Sequence, residues 1–581
     1  MSRAEMRRLG WDELDVLIVT GDAYVDHPAF GAALLGRWLV AHGYRVGIVA
    51  QPRWDTAEDV ARLGRPRLFA GVTAGALDSM LAHYTAFRKK RRDDAYTPGG
   101  RAGARPNRAT IVYTNLVRQA FPGLPVVIGG IEASMRRASH YDFWTDKLRR
   151  SLLLDSKADL LIYGMAERAL LQLAERLAAG GHLGEVPAGG VLDVARADFD
   201  RAYGTQRSYL VLPSHEEIEA DPKKLMTATL ALERQVHGGA EWATQAAGDR
   251  MLVFAPPAEP LTTEELDALY ALPFSRQPHP SYREPIPAVE MVQFSVTTHR
   301  GCAGGCSFCA LALHQGRRIR SRSRESILAE VARLTRHPAW RGSVSDVGSA
   351  TANLWRARCA ADHRDCRRAS CLHPSICRNF TPDQSALAEL LRSIARLPGV
   401  KHVRTASGVR HDVALLDEAY VRALVGEFTG GQLKLAPEHS CDRVLWLMRK
   451  PPFGKFEDFL TIFQRVSRQA GKEQYVVPYL MSAFPGCTEA DMRALAAWLR
   501  QRGWRPQQVQ CFIPTPGTVA TAMFYAGIDP DGAPIPVART DAARLRQHHI
   551  LAPASPLARR DPSAKMTARQ RGARSCHRPL T

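Results

Sequence analysis

Three cysteines in a glycine-rich stretch, Cys302, Cys306 and Cys309, stand at a Cys-x3-Cys-x2-Cys spacing. Three thiolates on one short loop can hold three corners of a cubic iron–sulfur cluster, a group that ordinarily takes four cysteines. No fourth cysteine follows nearby, so one iron would be open to another ligand. Gly301, Gly304 and Gly305 lack a Cβ and let the loop wrap closely around a bulky group. Two blander readings fit the same residues. One is a zinc site completed by His299 or His314, since structural zinc wants four ligands; the other is three buried free thiols. A second set, Cys359, Cys366, Cys371 and Cys377, puts four thiols within nineteen residues, with His363 and His373 as spare ligands. It reads as a further metal site, zinc or iron–sulfur, rather than as free thiols.

The longer string from Phe294 to Ser323, FSVTTHRGCAGGCSFCALALHQGRRIRSRS, resembles the YgiQ family of the radical S-adenosylmethionine (SAM) superfamily. The upstream wording PLTTEELDALYALPFSRQPHPSY is similar to the same family. The resemblance implies a [4Fe-4S] cluster on Cys302, Cys306 and Cys309, with SAM as second cofactor at the open iron. It implies an external electron donor and reductive cleavage of SAM to methionine and a 5′-deoxyadenosyl radical, in an enzyme of unknown substrate. It also implies SAM contacts at strand ends. Gly348 lies in Gly348-Ser349-Ala350, where the family pattern is Gly-Gly-Pro and serves the methionine part. Ser407 and Arg410 would meet ribose or carboxylate, and Glu438 and Ser482 end the next strands. The alternative function is a non-catalytic iron–sulfur protein, an electron carrier or redox-responsive binder.

These residues need a scaffold. Val289–Val296, apolar and alternating, reads as a buried strand leading into the cysteine loop. Ser323 is a plausible N-cap of a helix with Ile327, Leu328, Val331 and Leu334 on its buried face. Further strands are expected at Val344–Val347, His402–Ala406, Gln432–Leu435, Tyr475–Met481 and Val509–Ile513, which makes six. The superfamily's partial (β/α)6 barrel has that count and order.

The first half alternates strands and helices as well: Asp15–Thr20, Arg45–Ala50, Leu68–Val72, Val126–Ile128 and Leu160–Tyr163, with a helix over Pro28–His42. Alternation of this kind implies a parallel sheet with helices on both faces, and ligands then bind beyond the strand C-termini. Gly21, Asp22, Tyr24, Asp26, His27, Gly129, Gly130 and Glu132 fall there, as a ligand site or as ordinary turns. The family resemblance makes this a Rossmann-like N-terminal domain, reminiscent of cobalamin-binding domains. The Asp-x-His-x2-Gly signature is absent, Asp26-His27-Pro28 having the wrong spacing, and cobalamin is not expected. The resulting fold class is α/β: a Rossmann-like domain over 1–180, a connecting region over 181–287, a radical SAM core over 288–540 and a disordered basic tail over 541–581. Arg88–Asn107, charged and rich in Gly and Pro, reads as an exposed insertion.

A hydrophobic content of 45% is ordinary for a globular protein. No run approaches the roughly 18 apolar residues of a membrane helix, and no signal-peptide pattern opens the chain. A cytoplasmic protein without membrane contact is expected. The net charge of +20 favours an anionic partner, RNA or a ribosomal component, although arginine is spread over the whole chain.

Overall fold

The computed structural model describes residues 1–204, 208–364, 366–506 and 508–552. β-branched runs build the first sheet. β1 (Val16–Thr20) reads VLIVT and is buried along its whole length, as a strand covered on both faces must be. It lies between β2 (Val46–Ala50) and β3 (Phe69–Thr73), with Val16 opposite Val46 and Phe69. β4 (Val126–Gly129) and β5 (Leu160–Ile162) continue the parallel order. α1 (Gly31–Ala41) packs on one face, α2 (Ala109–Ala120) on the other, and α3 (Glu167–Ala178) beside α1. Leu39, Leu170 and Leu173 meet Ile18, Phe69 and Leu160, while Tyr113 and Val117 meet Leu17, Val72 and Ile128.

The sheet then changes sense. β6 (Gly190–Ala195) is antiparallel to β5, and β7 (Tyr209–Val211), β8 (Trp242–Ala247) and β9 (Arg250–Phe254) complete nine strands in the order β2-β1-β3-β4-β5-β6-β9-β8-β7. The expected parallel sheet is thus corrected to a mixed one. After α3 the helix–strand alternation stops, and β8 and β9 are joined by a tight turn at Gly248, which only antiparallel neighbours allow. The segment expected to be a connector supplies four of the nine strands, together with α4 (Lys223–Gly238) and a helix over Thr263–Ala271 closed by a Thr262–Glu265 capping box.

The second half is built from parallel segments paired in chain order. β10 (Ser295–Thr297) pairs with β12 (Asp346–Gly348), and β11 (Ser343–Val344) with β13 (His402–Val403). A bridge from Val409 to Leu435 leads to β14 (Gln432–Glu438), β15 (Tyr475–Ser482) and β16 (Gln508–Cys511). One large core, including Val347, Leu433, Phe456, Phe459, Phe484 and Phe512, fills the space under these strands.

Three expectations are revised. Val289–Val296 is not one strand: α5 (Pro287–Val292) takes its first part and only Ser295–Thr297 is strand. Pro287 at the first helical turn favours that start, and Met291, 59% exposed, contributes nothing to a buried face. Within Arg88–Asn107, Arg88–Asp93 is exposed, but Asp94, Thr97 and Arg105 are buried. Arg105 pairs with Asp22 at 3.0 Å and with Asp94 at 3.2 Å and pins the segment to the sheet. The tail is structured at its start, where α7 (Asp541–Leu551) buries Arg544, Gln547 and Leu551; residues 553–581 lie outside the described residues. Among the described residues, no helix is long and apolar enough to cross a membrane.

Candidate cluster site at the strand ends

The cysteine loop leaves β10 and runs into α6 (Ala310–Gln315). Its glycines are required by geometry. Gly301 has φ +88°, and a Cβ there would stand 2.2 Å from the Arg318 carbonyl oxygen. Gly305 has φ +58°, and its Cβ would stand 2.4 Å from the Ala369 oxygen. A Cβ on Gly304 would face the Cys302 and Cys306 sulfurs at 3.5 and 3.7 Å and Arg410 Nη1 at 3.4 Å. A Cβ at 304 would occupy the space between these groups at ordinary contact distance.

The loop is fastened from several directions. Ser307 donates its backbone N–H to Met448 O at 3.1 Å and its hydroxyl to Leu447 O at 2.7 Å. Arg449 donates to Gly305 O at 3.3 Å while paired through both terminal nitrogens with Glu233 of α4, at 2.7 and 3.1 Å. Cys302 Sγ lies 3.4 Å from Thr351 Oγ1, and Arg410 Nη1 points at Cys306 Sγ from 3.7 Å. Burial pushes the Cys309 thiol up to about 12, with Cys306 and Cys302 adding to it. A metal must then displace the proton, as thiolate ligation always requires.

Each histidine of the zinc alternative has its Nδ1 engaged. His299 Nδ1 meets Thr298 Oγ1 at 2.8 Å, and His314 Nδ1 meets Ser134 Oγ at 3.0 Å. Among the described residues, no three His, Cys, Asp or Glu side chains close around a single ion. Three thiols on a glycine-lined loop suit a cube, on which each cysteine takes a different iron.

The residues expected to meet SAM are distributed around this loop. Gly348 is packed tightly, with Ser407 Cβ 3.2 Å from where its own Cβ would be, and its carbonyl accepts from Thr298 N at 2.9 Å. Ser407 is held by Asp346, whose Oδ1 accepts from the Ser407 and Ala406 N–H groups at 2.9 and 2.7 Å and whose Oδ2 accepts from the Ser407 hydroxyl. Arg410 is clamped by Asp412 at 2.9 and 2.6 Å. Glu438 has φ +67°, is half-buried, and is pushed up by desolvation against the opposing pull of Lys450, 3.8 Å away, and Arg410. Ser482 is turned elsewhere: its hydroxyl meets His548 of α7 at 3.0 Å.

Gly348 and Ser407 also line a cavity of about 460 Å³ that reaches the strand ends of the first sheet, where Thr20, Asp22, Gly129 and Gly130 form the opposite wall. The remaining candidates there are structural. Asp26 is paired with Arg37, His27 has both ring nitrogens engaged by Ala29 N and Arg276, and Glu132 accepts from Ser79 and Thr110. Asp346, Thr351 and the Glu233–Arg449 pair escape sequence reasoning. Only the SDVGS wording around Asp346 hints at a role.

Comparison with known proteins bears on the family and the fold. A family model described as Radical SAM N-terminal matches residues 1–295. A UPF0313 protein of Geobacter sulfurreducens is 51% identical over 95% of this chain and 91% of its own length. One from Thermotoga neapolitana is 47% identical over 91% of this chain and 94% of its own. Among solved structures, the radical SAM methyltransferase TsrM from Kitasatospora setae, with cobalamin and a [4Fe-4S] cluster bound, superposes with a TM-score of 0.51 at 16% identity, over 92% of this chain and 84% of that one. That likeness concerns the fold. The relatives' identity over nearly the whole chain, with the matched family model, places this protein in the UPF0313 family, which is the YgiQ family of the radical SAM superfamily.

Proposed function

We propose that this chain is a cytoplasmic radical SAM enzyme in which Cys302, Cys306 and Cys309 hold a [4Fe-4S] cluster whose open iron takes SAM, within a partial (β/α)6 barrel set against a Rossmann-like domain. When bound, these cofactors supply a low-potential electron and, through breakage of a carbon–sulfur bond, methionine and a 5′-deoxyadenosyl radical. The observation that carries the reading is convergence: the cysteine loop, Gly348 and Ser407 all stand at the C-terminal ends of parallel strands, where such folds place chemistry.

The protein's own part is positioning. Asp346 fixes the Ser407 hydroxyl and the neighbouring backbone at the cavity wall. Arg410, held by Asp412, keeps a cation beside Cys306. Glu438 and Lys450 form an ion pair at 3.8 Å in the neighbourhood of Arg410. Beside Gly348 and Ser407 the cavity walls are largely Ile, Val, Leu and Gly, an apolar surround for a bound group. An external one-electron donor is required. RNA or a ribosomal component is the substrate that the charge favours, with the exposed run Lys89–Arg92 as its surface contact.

Anaerobic reconstitution followed by dithionite and SAM tests the reading by chromatography. Release of 5′-deoxyadenosine and methionine supports it. A reducible cluster that never cleaves SAM would leave the electron-carrier alternative. RNA that co-purifies and dissociates steeply with salt would support the nucleic-acid branch.

A further inference from the structure

Four of the cysteines unused by the chemistry above sit together. Cys359, Cys366, Cys371 and Cys377 line one cleft with His363 and Arg317. Short local bonds hold them there: Cys377 N donates to Cys371 O at 2.8 Å, Cys366 N donates to His363 O at 3.2 Å, and Cys359 pairs with Phe380. Burial pushes the Cys371 thiol up to about 11; Arg317 opposes this, while Cys359, Cys366 and Cys377 add to it.

Arg317 is an independent sign that something anionic belongs in the cleft. It is 2% exposed, and its Nη2 points at Cys366 Sγ from 3.3 Å. Its Nε and Nη1 have no hydrogen-bond partner, and among the described residues it forms no ion pair. A buried cation with no counter-charge is costly, and the usual remedy is a paired anion. Neutral thiols do not supply one; metal-bound thiolates do.

The same cysteine segment is built onto the first cysteine loop. Cys371 N donates to Ala303 O at 3.0 Å, Ser370 Oγ donates to Gly304 O at 2.6 Å, and Ala369 O lies against Gly305. Four thiols within nineteen residues match the four cysteines that a four-iron cluster ordinarily takes.

We propose that Cys359, Cys366, Cys371 and Cys377 hold a second four-iron cluster, ligated entirely by the protein, with Arg317 as its buried counter-cation. Its place between an open cleft and the first loop suits a one-electron relay. An external low-potential one-electron carrier loses one electron, the first cluster gains one, and no atom or proton moves. This relay rests on the proposed function; the site itself does not.

Iron and acid-labile sulfide are to be counted on anaerobically reconstituted full-length protein. About eight irons per chain are expected, against about four for a single cubane. Cys366→Ala with Cys371→Ala is expected to bring the count to about four while the EPR signal still changes on adding SAM. Cys302→Ala with Cys306→Ala and Cys309→Ala is expected to keep about four irons and a reducible signal indifferent to SAM. The second variant holds the test open should the first fail to fold. Wild type with about four irons and an iron-free loop variant overturns the proposal, as does zinc at the second set. Absence of 5′-deoxyadenosine from a protein holding about eight irons would instead strike the proposed function alone.

Discussion

The Arg410 guanidinium points one nitrogen at Cys306 Sγ, 3.7 Å away, while Asp412 holds two others at 2.9 and 2.6 Å. Asp412 is itself held well down, to about 2, by that cation despite its burial. The arrangement leaves a donor aimed at a cluster ligand and unable to swing away. Hydrogen bonds and charge near the sulfurs set cluster potential. Replacing the pair by Arg410→Gln with Asp412→Asn is expected to lower the potential of the first cluster by tens of millivolts in an EPR-monitored titration. Changing both avoids stranding a buried carboxylate, which costs about 3–5 kcal/mol. An unchanged potential would mean that the guanidinium does not reach the cluster's field.

Gly304 and Gly301 predict opposite failures. The added methyl of Gly304→Ala points into the space between Cys302, Cys306 and Arg410. The fold should melt as wild type, by circular dichroism, while bound iron falls severely. Gly301→Ala instead forces a side chain into φ +88° and against the Arg318 carbonyl. It should cost about 1–3 kcal/mol of local strain or more and lower the thermal midpoint. Equal melting and equal iron loss in the two variants would deny the distinction.

How much of this was legible in the sequence depends on range. The cysteine trio, the glycines, the Ser323 cap and the β1–β5 runs are local patterns, and they appear where expected. The strand at Val289–Val296 failed because alternation over eight residues does not register a proline at a helix start. The antiparallel half of the first sheet was missed because β6–β9 are joined by turns and a helix whose pairing partners are distant. Ser482 fell at the expected strand end, yet its hydroxyl is engaged by a helix from a segment that looked disordered. The Glu233–Arg449 pair spans 216 residues and carries no local signal at all.

Asp22 predicts a pH effect in the first half. Desolvation raises its carboxyl to about 6, against the pull of Arg105 and the Ala76 N–H and with Asp94 adding to the rise. A folded-state pKa above the unfolded value of about 3.9 means that the folded state binds more protons between them. Stability from this group is therefore fully present below about pH 4 and is lost as pH rises to about 6, by at most about 3 kcal/mol. Relative to Asp22→Asn, wild type should lose ground across that window and then level off. The comparison is made by hydrogen exchange of β1 and β3 amides at several pH values. A difference independent of pH would show that Arg105 keeps Asp22 ionised throughout.

The Glu233–Arg449 pair makes the cluster loop depend on the first half of the chain. Both side chains are buried, Arg449 being also a donor to Gly305 O. Glu233→Ala leaves a guanidinium without its anion in a dry site, a loss of about 3–5 kcal/mol. The pair fastens one loop, so the readout is best kept local. Hydrogen exchange over 301–310 and 445–452 is the direct one. Protection should fall sharply in Glu233→Ala and in Arg449→Ala, and less in Glu233→Gln with Arg449→Met, which removes both charges together. Iron uptake should follow the same order, because the loop must be held at Gly305 for Cys302, Cys306 and Cys309 to face a common centre. If the double neutral variant loses as much protection as the single ones, the pair contributes shape rather than charge compensation, and the coupling between the halves is steric.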